Sequence, residues 1–485
     1  MRNFKKWMLA AILLLGFTAH GKAAELFKND DLDFNFGGRI QELGETEVLT
    51  DDAVRQHVRV YLFNVEDRLF TNGTYKGFKW NFEASFGGED IANGTNGSFN
   101  LLDANVDVPI ITDSIYVKVG QFKDPANLES AGYDGNMLFT EKSPNFNLFF
   151  NEGYETGVAL WGHLGNLDGA AGVVQGAPNL PQRYLPELLN FPLPMFIRVG
   201  FSDGINDDLF KPSQTGFTKP DKTQIAIHAM GYVAADDNAG HGNLFGQIGG
   251  GLATFNDNSY YGNVLTSKIF NPYLGLAGAL PVTALYYQTG LDFQVRAPMG
   301  DTTFTLSGQA MIGHYDMTVS GGKIITYGNG VPVTVQNNDG PMTIAGVVYP
   351  AGKAPGKNFP LNIGGGELVA SFGDKPWEVA GRVAMVIPDN GMAGTSTNAT
   401  TFRPIFTNSN PIWEVTFPSI TWHMNDNAKL VAETMFMFNE SEAQDYDGNY
   451  VVAEMPGSAT GTTYRAPNIQ ASILPIGRMM FQFQF

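Results

Sequence analysis

The sequence predicts an all-β fold, a transmembrane antiparallel β-barrel of sixteen or eighteen strands, from three observations. Residues 468–485 alternate apolar and polar side chains with the period of a strand, and the apolar side ends in Phe481, Phe483 and Phe485. The same alternation recurs along the chain. The composition, with 57 glycines, 12% aromatic and 16% charged residues, suits many strands, turns and a lipid-facing belt. The alternative is a strand of an ordinary soluble β-sandwich, which explains the terminal row of phenylalanines less directly.

The N-terminal residues predict export from the cytoplasm. Arg2, Lys5 and Lys6 form a basic region, residues 8–17 are apolar, and small residues follow up to Ala24. This pattern is typical of a secretory signal peptide, which we place at residues 1–23. A membrane-spanning helix, the alternative, needs about 20 apolar residues. We expect residues 24–485 to form a single barrel domain.

Composition also excludes several classes of function. The formal net charge of −18 argues against nucleic acid as a partner. The chain has no cysteine, so disulfides and thiolate metal sites are excluded. The sequence lacks a His-x-x-x-His pair and a phosphate-binding Gly-x-x-x-x-Gly-Lys-Ser/Thr loop. We therefore expect no enzyme, no cofactor and no metal, although a barrel hydrolase with residues from separate strands stays open.

The predicted strands follow one another at hairpin spacing. They are 33–41, 54–63, 77–87, 101–108, 114–122, 156–163, 170–175, 195–201, 224–235, 244–255, 269–278, 284–296, 302–318, 367–372, 377–387, 412–423, 429–438 and 468–485. Without the two weak candidates 170–175 and 269–278 the count is sixteen. The acidic stretch 42–52 is predicted as a loop.

Connections alternate between short and long, as in outer-membrane barrels with short periplasmic turns and long extracellular loops. The long ones are 124–155, 176–194, 320–366, 388–411 and 439–465. The connection 202–223 is an exception, because it is long but falls on the periplasmic count. Strand-like pieces within 320–366 predict an external hairpin there.

The N-terminal third resembles the phosphate-selective porins of the O and P type. The resemblance rests on FGGRIQ (36–41), VRQHVRVYLFNVEDRLF (54–70), FKWNFEASF (78–86), YVKVGQFKDPANLES (116–130) and NEGYETGVALWG (151–162). Beyond about residue 165 only the strand pattern and the terminal Phe485 continue it. The resemblance implies a homotrimer of sixteen-strand barrels, each with a water-filled channel and with the third external loop, 124–155, folded into the lumen. It also implies a ladder of inward arginines and a lysine cluster that attract anions.

Strand register and the resemblance together give the candidate pore-lining residues. They are Arg39, Arg55, Arg59, Lys79, Lys118, Lys123, Lys142, Arg198, Arg296 and Arg382. Register adds Lys429 and Arg478 to the inward cations, and gives Asp33, Glu83, Asp103, Asp107, Asp292, Glu367, Glu378, Glu414 and Glu433 as inward carboxylates. By register alone, which leaves out Lys123 and Lys142, ten cations face nine carboxylates. This near balance leaves two interpretations open. Arginines such as Arg55 and Arg59 line a basic track, or they pair with carboxylates such as Glu83 and brace the wall.

These observations predict a porin for passive diffusion of small hydrophilic solutes and ions, with anions such as phosphate among them. The alternative is a surface binding or adhesion protein on a plugged barrel. The expected location is the outer membrane of a Gram-negative bacterium. The expected partners are membrane lipid, lipopolysaccharide, other copies of the chain in a homotrimer, and the barrel-assembly machinery, which would recognise Phe485.

Overall fold

The structure is a computed structural model. It describes residues 24–29, 31–48, 58–88, 100–111, 114–125, 127–132, 134–143, 154–174, 194–203, 214, 220–236, 282–319, 324–326, 332–334, 342–344, 347–349, 358–390, 412–439 and 474–485. The predicted signal peptide, 1–23, lies outside these residues.

The described residues form strands almost throughout. In chain order these are β1 (Ala24–Lys28), β2 (Leu32–Val48), β3 (Val58–Tyr75), β4 (Phe78–Gly88), β5 (Asn100–Ile111), β6 (Ile115–Lys123), β7 (Tyr154–Leu164), β8 (Leu167–Val174), β9 (Met195–Asp203), β10 (Gln224–Asp236), β11 (Val282–Met299), β12 (Thr302–Val319), β13 (Ile324–Thr326), β14 (Pro332–Thr334), β15 (Met342–Ile344), β16 (Val347–Tyr349), β17 (Asn358–Asp374), β18 (Trp377–Asn390), β19 (Ile412–His423), β20 (Ala428–Asn439) and β21 (Leu474–Gln484). The short helix α1 (Leu128–Ala131) and a 3₁₀ turn at Asp134–Asn136 lie between β6 and β7. None of the helices among these residues is long and apolar enough to cross a membrane.

Sixteen of the strands, β2 to β12 and β17 to β21, form one closed antiparallel barrel. Each barrel strand pairs with the next barrel strand in the chain. The ring closes where β2 pairs with β21, from Arg39 opposite Gln484 to Glu47 opposite Ile476. We call this pairing of the first and last barrel strands the seam. The predicted fold class is therefore confirmed. Two small hairpins, β13 with β14 and β15 with β16, lie between β12 and β17.

The barrel reverses the arrangement of a soluble protein, because its outer face is apolar and its inner face is polar. Along β9 the apolar Ile197 and Val199 are 52% and 51% exposed on the outer face, whereas Arg198 between them is 1% exposed on the inner face. The other barrel strands repeat this arrangement, with large apolar side chains outside and polar ones inside. An apolar exterior around a polar interior is the arrangement that lipid outside and water inside would select.

The predicted strands and connections between residues 170 and 278 have different outcomes in the structure. The weak candidate 170–175 is real and belongs to β8. The candidates 244–255 and 269–278 lie outside the described residues, and β10 pairs directly with β11 along its whole length. The long connection 204–223 joins β9 to β10, which also pair directly. Its two ends, at Asp203 and Gln224, therefore lie at the rim that holds the short turns 76–77, 165–166, 300–301 and 375–376, which we call the turn rim.

The prediction of a loop at 42–52 was wrong for residues 42–48. Strand β2 continues to Val48, and β3 extends to Tyr75, twelve residues beyond the predicted end of that strand at residue 63. A bulge at Val65 shifts the register between the two strands. The acidic composition suggested a loop, but Glu45 faces the interior, where its carboxylate pairs with Arg478 at 2.6 Å.

The first and the last barrel strands meet at the turn rim. The backbones of Phe485 and Gly38 exchange two hydrogen bonds of 3.0 Å, and β1 pairs with the part of β2 immediately beyond them. A Cβ on Gly38 would lie 2.6 Å from the Phe485 ring, so a larger residue here would require that ring to move. The predicted C-terminal strand is confirmed for Leu474–Gln484, and residues 468–473 lie outside the described part.

Candidate channel lumen

Most buried charged side chains lie on the inner face because strand alternation places them there. Among the described residues, the buried ionisable side chains include eight lysines and arginines and twelve carboxylates. The basic ones are Arg39, Arg68, Lys118, Arg198, Arg296, Arg382, Lys429 and Arg478, and the acidic ones are Glu45, Glu66, Glu83, Asp103, Asp124, Glu155, Asp168, Asp292, Glu367, Glu378, Glu414 and Glu433. The interior is thus polar, with an excess of acid.

A segment between β6 and β7 contacts these interior side chains. We call residues 127–132 and 134–143 the inward segment. Both ends bond to the wall: Gln309 Oε1 on β12 accepts from the backbone amide of Leu128 at 2.9 Å, and the Ser143 hydroxyl donates to Glu414 on β19 at 2.8 Å. Between them, Ser419 Oγ donates to the Leu138 carbonyl at 2.6 Å. The segment therefore leaves β6 and reaches the wall formed by β12 and β17 to β21.

Arg382 on β18 makes the densest set of contacts with the inward segment. Its guanidinium pairs with Glu414 at 2.7 Å and donates to the Glu141 carbonyl at 2.9 Å. The Phe139 ring centroid lies 4.4 Å from the guanidinium carbon, in a cation–π contact. Arg382 and Glu414 are 1% and 0% exposed. This buried pair positions the segment rather than facing an open channel.

A second contact to the inward segment comes from the turn rim. The backbone amide of Gln214, within the long connection 204–223, donates to the Asn136 carbonyl at 2.9 Å. The Leu138 amide donates to the Gln214 side chain at 3.3 Å. This connection was the exception in the predicted loop lengths, and Gln214 shows that part of it lies inside the barrel.

The charges on β2 to β6 pair mainly with one another. Arg39 pairs with Glu66, Arg68 pairs with Glu66 at 2.6 Å, and Arg68 also pairs with Glu83 at 3.2 Å. These four side chains form a row of alternating charge across three strands. Here the arrangement follows the second interpretation of the sequence, in which arginines pair with carboxylates on the wall.

Lys118 on β6 also has its charge balanced within the wall. Its ammonium group pairs with Asp107 at 2.8 Å, donates to Asn105 at 3.0 Å and lies 4.0 Å from the centroid of the Trp161 ring. Two other candidate lysines lie over aromatic rings, Lys79 at 4.2 Å from Tyr116 and Lys123 at 5.8 Å from Tyr154. Lysines beside aromatic rings are thus a feature of this side of the barrel.

A buried cluster connects β8 to β11 near the turn rim. The two ring nitrogens of His228 lie 3.0 Å from Asp168 and 3.0 Å from Asp292. Arg198 pairs with Asp292 at 2.8 Å and donates to the Asn127 carbonyl at 3.3 Å. A Cβ on the intervening Gly200 would lie 2.5 Å from the His228 ring, so this glycine makes room for the cluster.

Four candidate residues remain to be placed. Arg296 is buried and donates to Gln294 at 3.3 Å, and Lys142 is half-buried at the end of the inward segment. Arg59 lies on β3, but its side chain is outside the described set, and Arg55 lies outside the described residues. The basic track proposed for Arg55 and Arg59 is therefore not defined by the structure.

Sequence reasoning missed several residues of the lumen. Glu66 and Arg68 were not assigned to a strand, because the bulge at Val65 breaks the alternation that identifies one. Asp168 and His228 were not singled out, because their meeting depends on register across four strands. Glu141 was not singled out, although its position within the inward loop was a signal. No group of three histidine, cysteine or acidic residues suited to a metal ion occurs in the described part of the chain.

No family model matches the sequence, and no curated protein matches it. Solved structures similar in fold include the outer membrane channel DcaP of Acinetobacter baumannii, with 10% identity, 95% of this chain and 100% of that chain covered, and a TM-score of 0.49. The in-vitro folded, trimer form of OmpT, an outer membrane protein of Vibrio cholerae, has 8% identity, 94% and 100% coverage and a TM-score of 0.45. OprB of Pseudomonas putida has 9% identity, 94% coverage of both chains and a TM-score of 0.46. Likeness at this level carries no information on solute or mechanism.

Proposed function

We propose that the chain is an outer-membrane porin through which small hydrophilic solutes and ions diffuse passively. The observation that carries this proposal is the closed barrel with apolar side chains outside and charged side chains inside. An apolar exterior suits lipid, and a charged interior is stable only with water or paired charges. No catalytic step is part of the proposal.

The inward segment is proposed to set the width of the channel. It leaves the wall at β6 and is bonded to the opposite wall through Gln309, Ser419 and Arg382. A polypeptide that crosses a lumen and is fixed at its far side reduces the open section. The loop predicted to fold inward, 124–155, contains this segment.

The sign of the interior charge supports a preference for cations. Twelve buried carboxylates against eight buried lysines and arginines leave an acidic excess in the described residues. These side chains are buried, so they act through the net field of the wall, and a net negative wall favours cations in an aqueous pore. The resemblance to phosphate-selective porins implies the opposite preference, but Arg39 and Lys118, two residues that carry it, are balanced by Glu66 and Asp107. We therefore infer a weak preference for cations over anions such as phosphate.

The outer membrane of a Gram-negative bacterium is the location that the proposal requires. A homotrimer, contact with lipopolysaccharide, and recognition of Phe485 by the assembly machinery are further proposals from the resemblance. The backbone pairing of Phe485 with Gly38 supports a role of this residue at the closing strand pair.

The test is conductance of the purified protein in planar lipid bilayers under a salt gradient. We expect stepwise conductance, in groups of three for a homotrimer, with a reversal potential on the cation side. Lys118→Gln should move it further to that side and Asp107→Asn should move it back, since the two substitutions remove opposite members of one ion pair. A reversal potential on the anion side contradicts the cation preference. A folded protein without conductance contradicts the porin and favours the plugged-barrel binding protein.

A further inference from the structure

The seam differs from every other strand pair of the barrel in how its strands are connected. All other neighbours are consecutive barrel strands, whereas β2 and β21 are the first and the last. No short connection holds them together, so the seam depends on its hydrogen bonds and side-chain contacts. Any interior group that bonds to both strands therefore stabilises closure.

Two polar pairs cross the seam on its inner face, and each of them also bonds to the inward segment. Arg478 on β21 pairs with Glu45 on β2 at 2.6 Å and with Glu141 of the segment at 2.7 Å. Gln41 donates to Gln482 at 2.7 Å, and Gln482 donates to the Gly135 carbonyl at 2.9 Å. All four wall side chains are buried.

An apolar centre lies between these pairs. Met480 lies between Arg478 and Gln482 on β21 and packs with Leu43, Val65 and Val431. Met480 and Val431 are 0% exposed although they face the interior of a barrel. On β20, Val431 is flanked by two further contacts to the segment: Lys429 donates to the Met137 carbonyl at 2.7 Å, and Thr140 Oγ1 donates to Glu433 at 2.6 Å.

We propose that the inside of the seam is the docking site of the inward segment, and that the segment in turn stabilises closure of the barrel. Four polar contacts from β20 and β21 bind residues 135–141 around an apolar centre that includes Leu43 of β2. Glu141 and the Gly135 carbonyl bond to side chains that themselves join β21 to β2. Channel width, which rests on the proposed function, and barrel closure are then coupled, and coupling of this kind is reciprocal.

Hydrogen exchange measured by mass spectrometry tests whether the inward segment stabilises the seam. In Glu141→Gln the charged contact to Arg478 is lost, and we expect amide exchange in the peptide 474–485 to rise about tenfold, with 302–319 unchanged. Asp107→Asn is the matched control, because it removes an interior carboxylate that pairs with Lys118, away from both seam and segment. Unchanged exchange at 474–485, or an equal rise in both peptides, would overturn the proposal.

The reciprocal effect, that of the seam on the inward segment, can be tested with a single introduced thiol because the chain has no cysteine. Met137→Cys introduces one thiol at a position that is 6% exposed in the segment. Combined with Phe485→Ala, which weakens the seam from the outer face, the thiol should react with a soluble reagent about tenfold faster. Phe201→Ala, an outer-face phenylalanine on β9, is the control. Equal rates in the two backgrounds would overturn the coupling. Neither measurement requires ion flow, so the proposal can fail while the porin stands, or the reverse.

Discussion

Two halves of the inner wall carry the same types of charged side chain and use them differently. On β17 to β21, Arg382 and Arg478 bond to the inward segment as well as to wall carboxylates. On β2 and β3, Arg39 and Arg68 pair with the wall carboxylates Glu66 and Glu83. An inward arginine is therefore not evidence of a solute-binding position. Its function depends on what lies opposite it in the barrel.

Because the two regions use their arginines differently, substitutions in them should affect the stability of the barrel and the width of the channel differently. Substitutions on the half that binds the segment should alter both, because the segment is fixed there. Substitutions on β3 and β4 should alter stability alone. The predictions below compare the two halves, beginning with the largest effect.

Arg382→Ala should have the largest effect. It removes the partner of Glu414, which is 0% exposed, and the hydrogen bond to the Glu141 carbonyl. Loss of one member of a buried ion pair costs about 3–5 kcal/mol. We expect the free energy of unfolding in urea, measured in lipid vesicles, to fall by about that amount and the single-channel conductance to rise. A stability loss without a change in conductance would contradict the role of Arg382 in positioning the segment.

Arg68→Ala is the corresponding substitution on β3. It leaves Glu83 without its contact to Arg68, while Glu66 keeps Arg39. We expect a smaller loss, about 1.5–3 kcal/mol, which is the contribution of a hydrogen bond between charged groups. Single-channel conductance should stay within the wild-type range in the same bilayers. A rise comparable to that of Arg382→Ala would show that the two halves do not differ.

Much of the fold was predictable because strand alternation is a local property. In β9 and β21 each residue's side could be assigned from its neighbours alone, and the structure agrees. Alternation failed at Val65, where one extra residue reverses the register and hides Glu66 and Arg68. It also failed at 42–48, where Glu45 looks like loop composition until Arg478, more than 400 residues later, is placed beside it.

The lumen was less predictable, because its contacts depend on strand order around the closed ring. Glu141 contacts Arg478 because of the inward course of the segment and the position of β21. Neither of these can be deduced from local sequence. His228 meets Asp168 across β9 only because Gly200 has no side chain. Strand register determines whether a side chain points inward or outward. The order of the strands around the closed barrel determines which residue that side chain contacts.

Thr140→Val tests the comparison with the smallest expected change. The Thr140 hydroxyl donates to Glu433 at 2.6 Å, while its backbone amide donates to the other carboxylate oxygen at 3.1 Å and would remain. Valine keeps the shape, so we expect the free energy of unfolding to fall by about 1–2 kcal/mol and current fluctuations of the open channel to increase. Thr416→Val is the matched control, because that hydroxyl donates to Glu414 at 3.3 Å within the same strand. Fluctuations that increase equally in both variants would mean that the wall itself moves, and that the inward segment follows it.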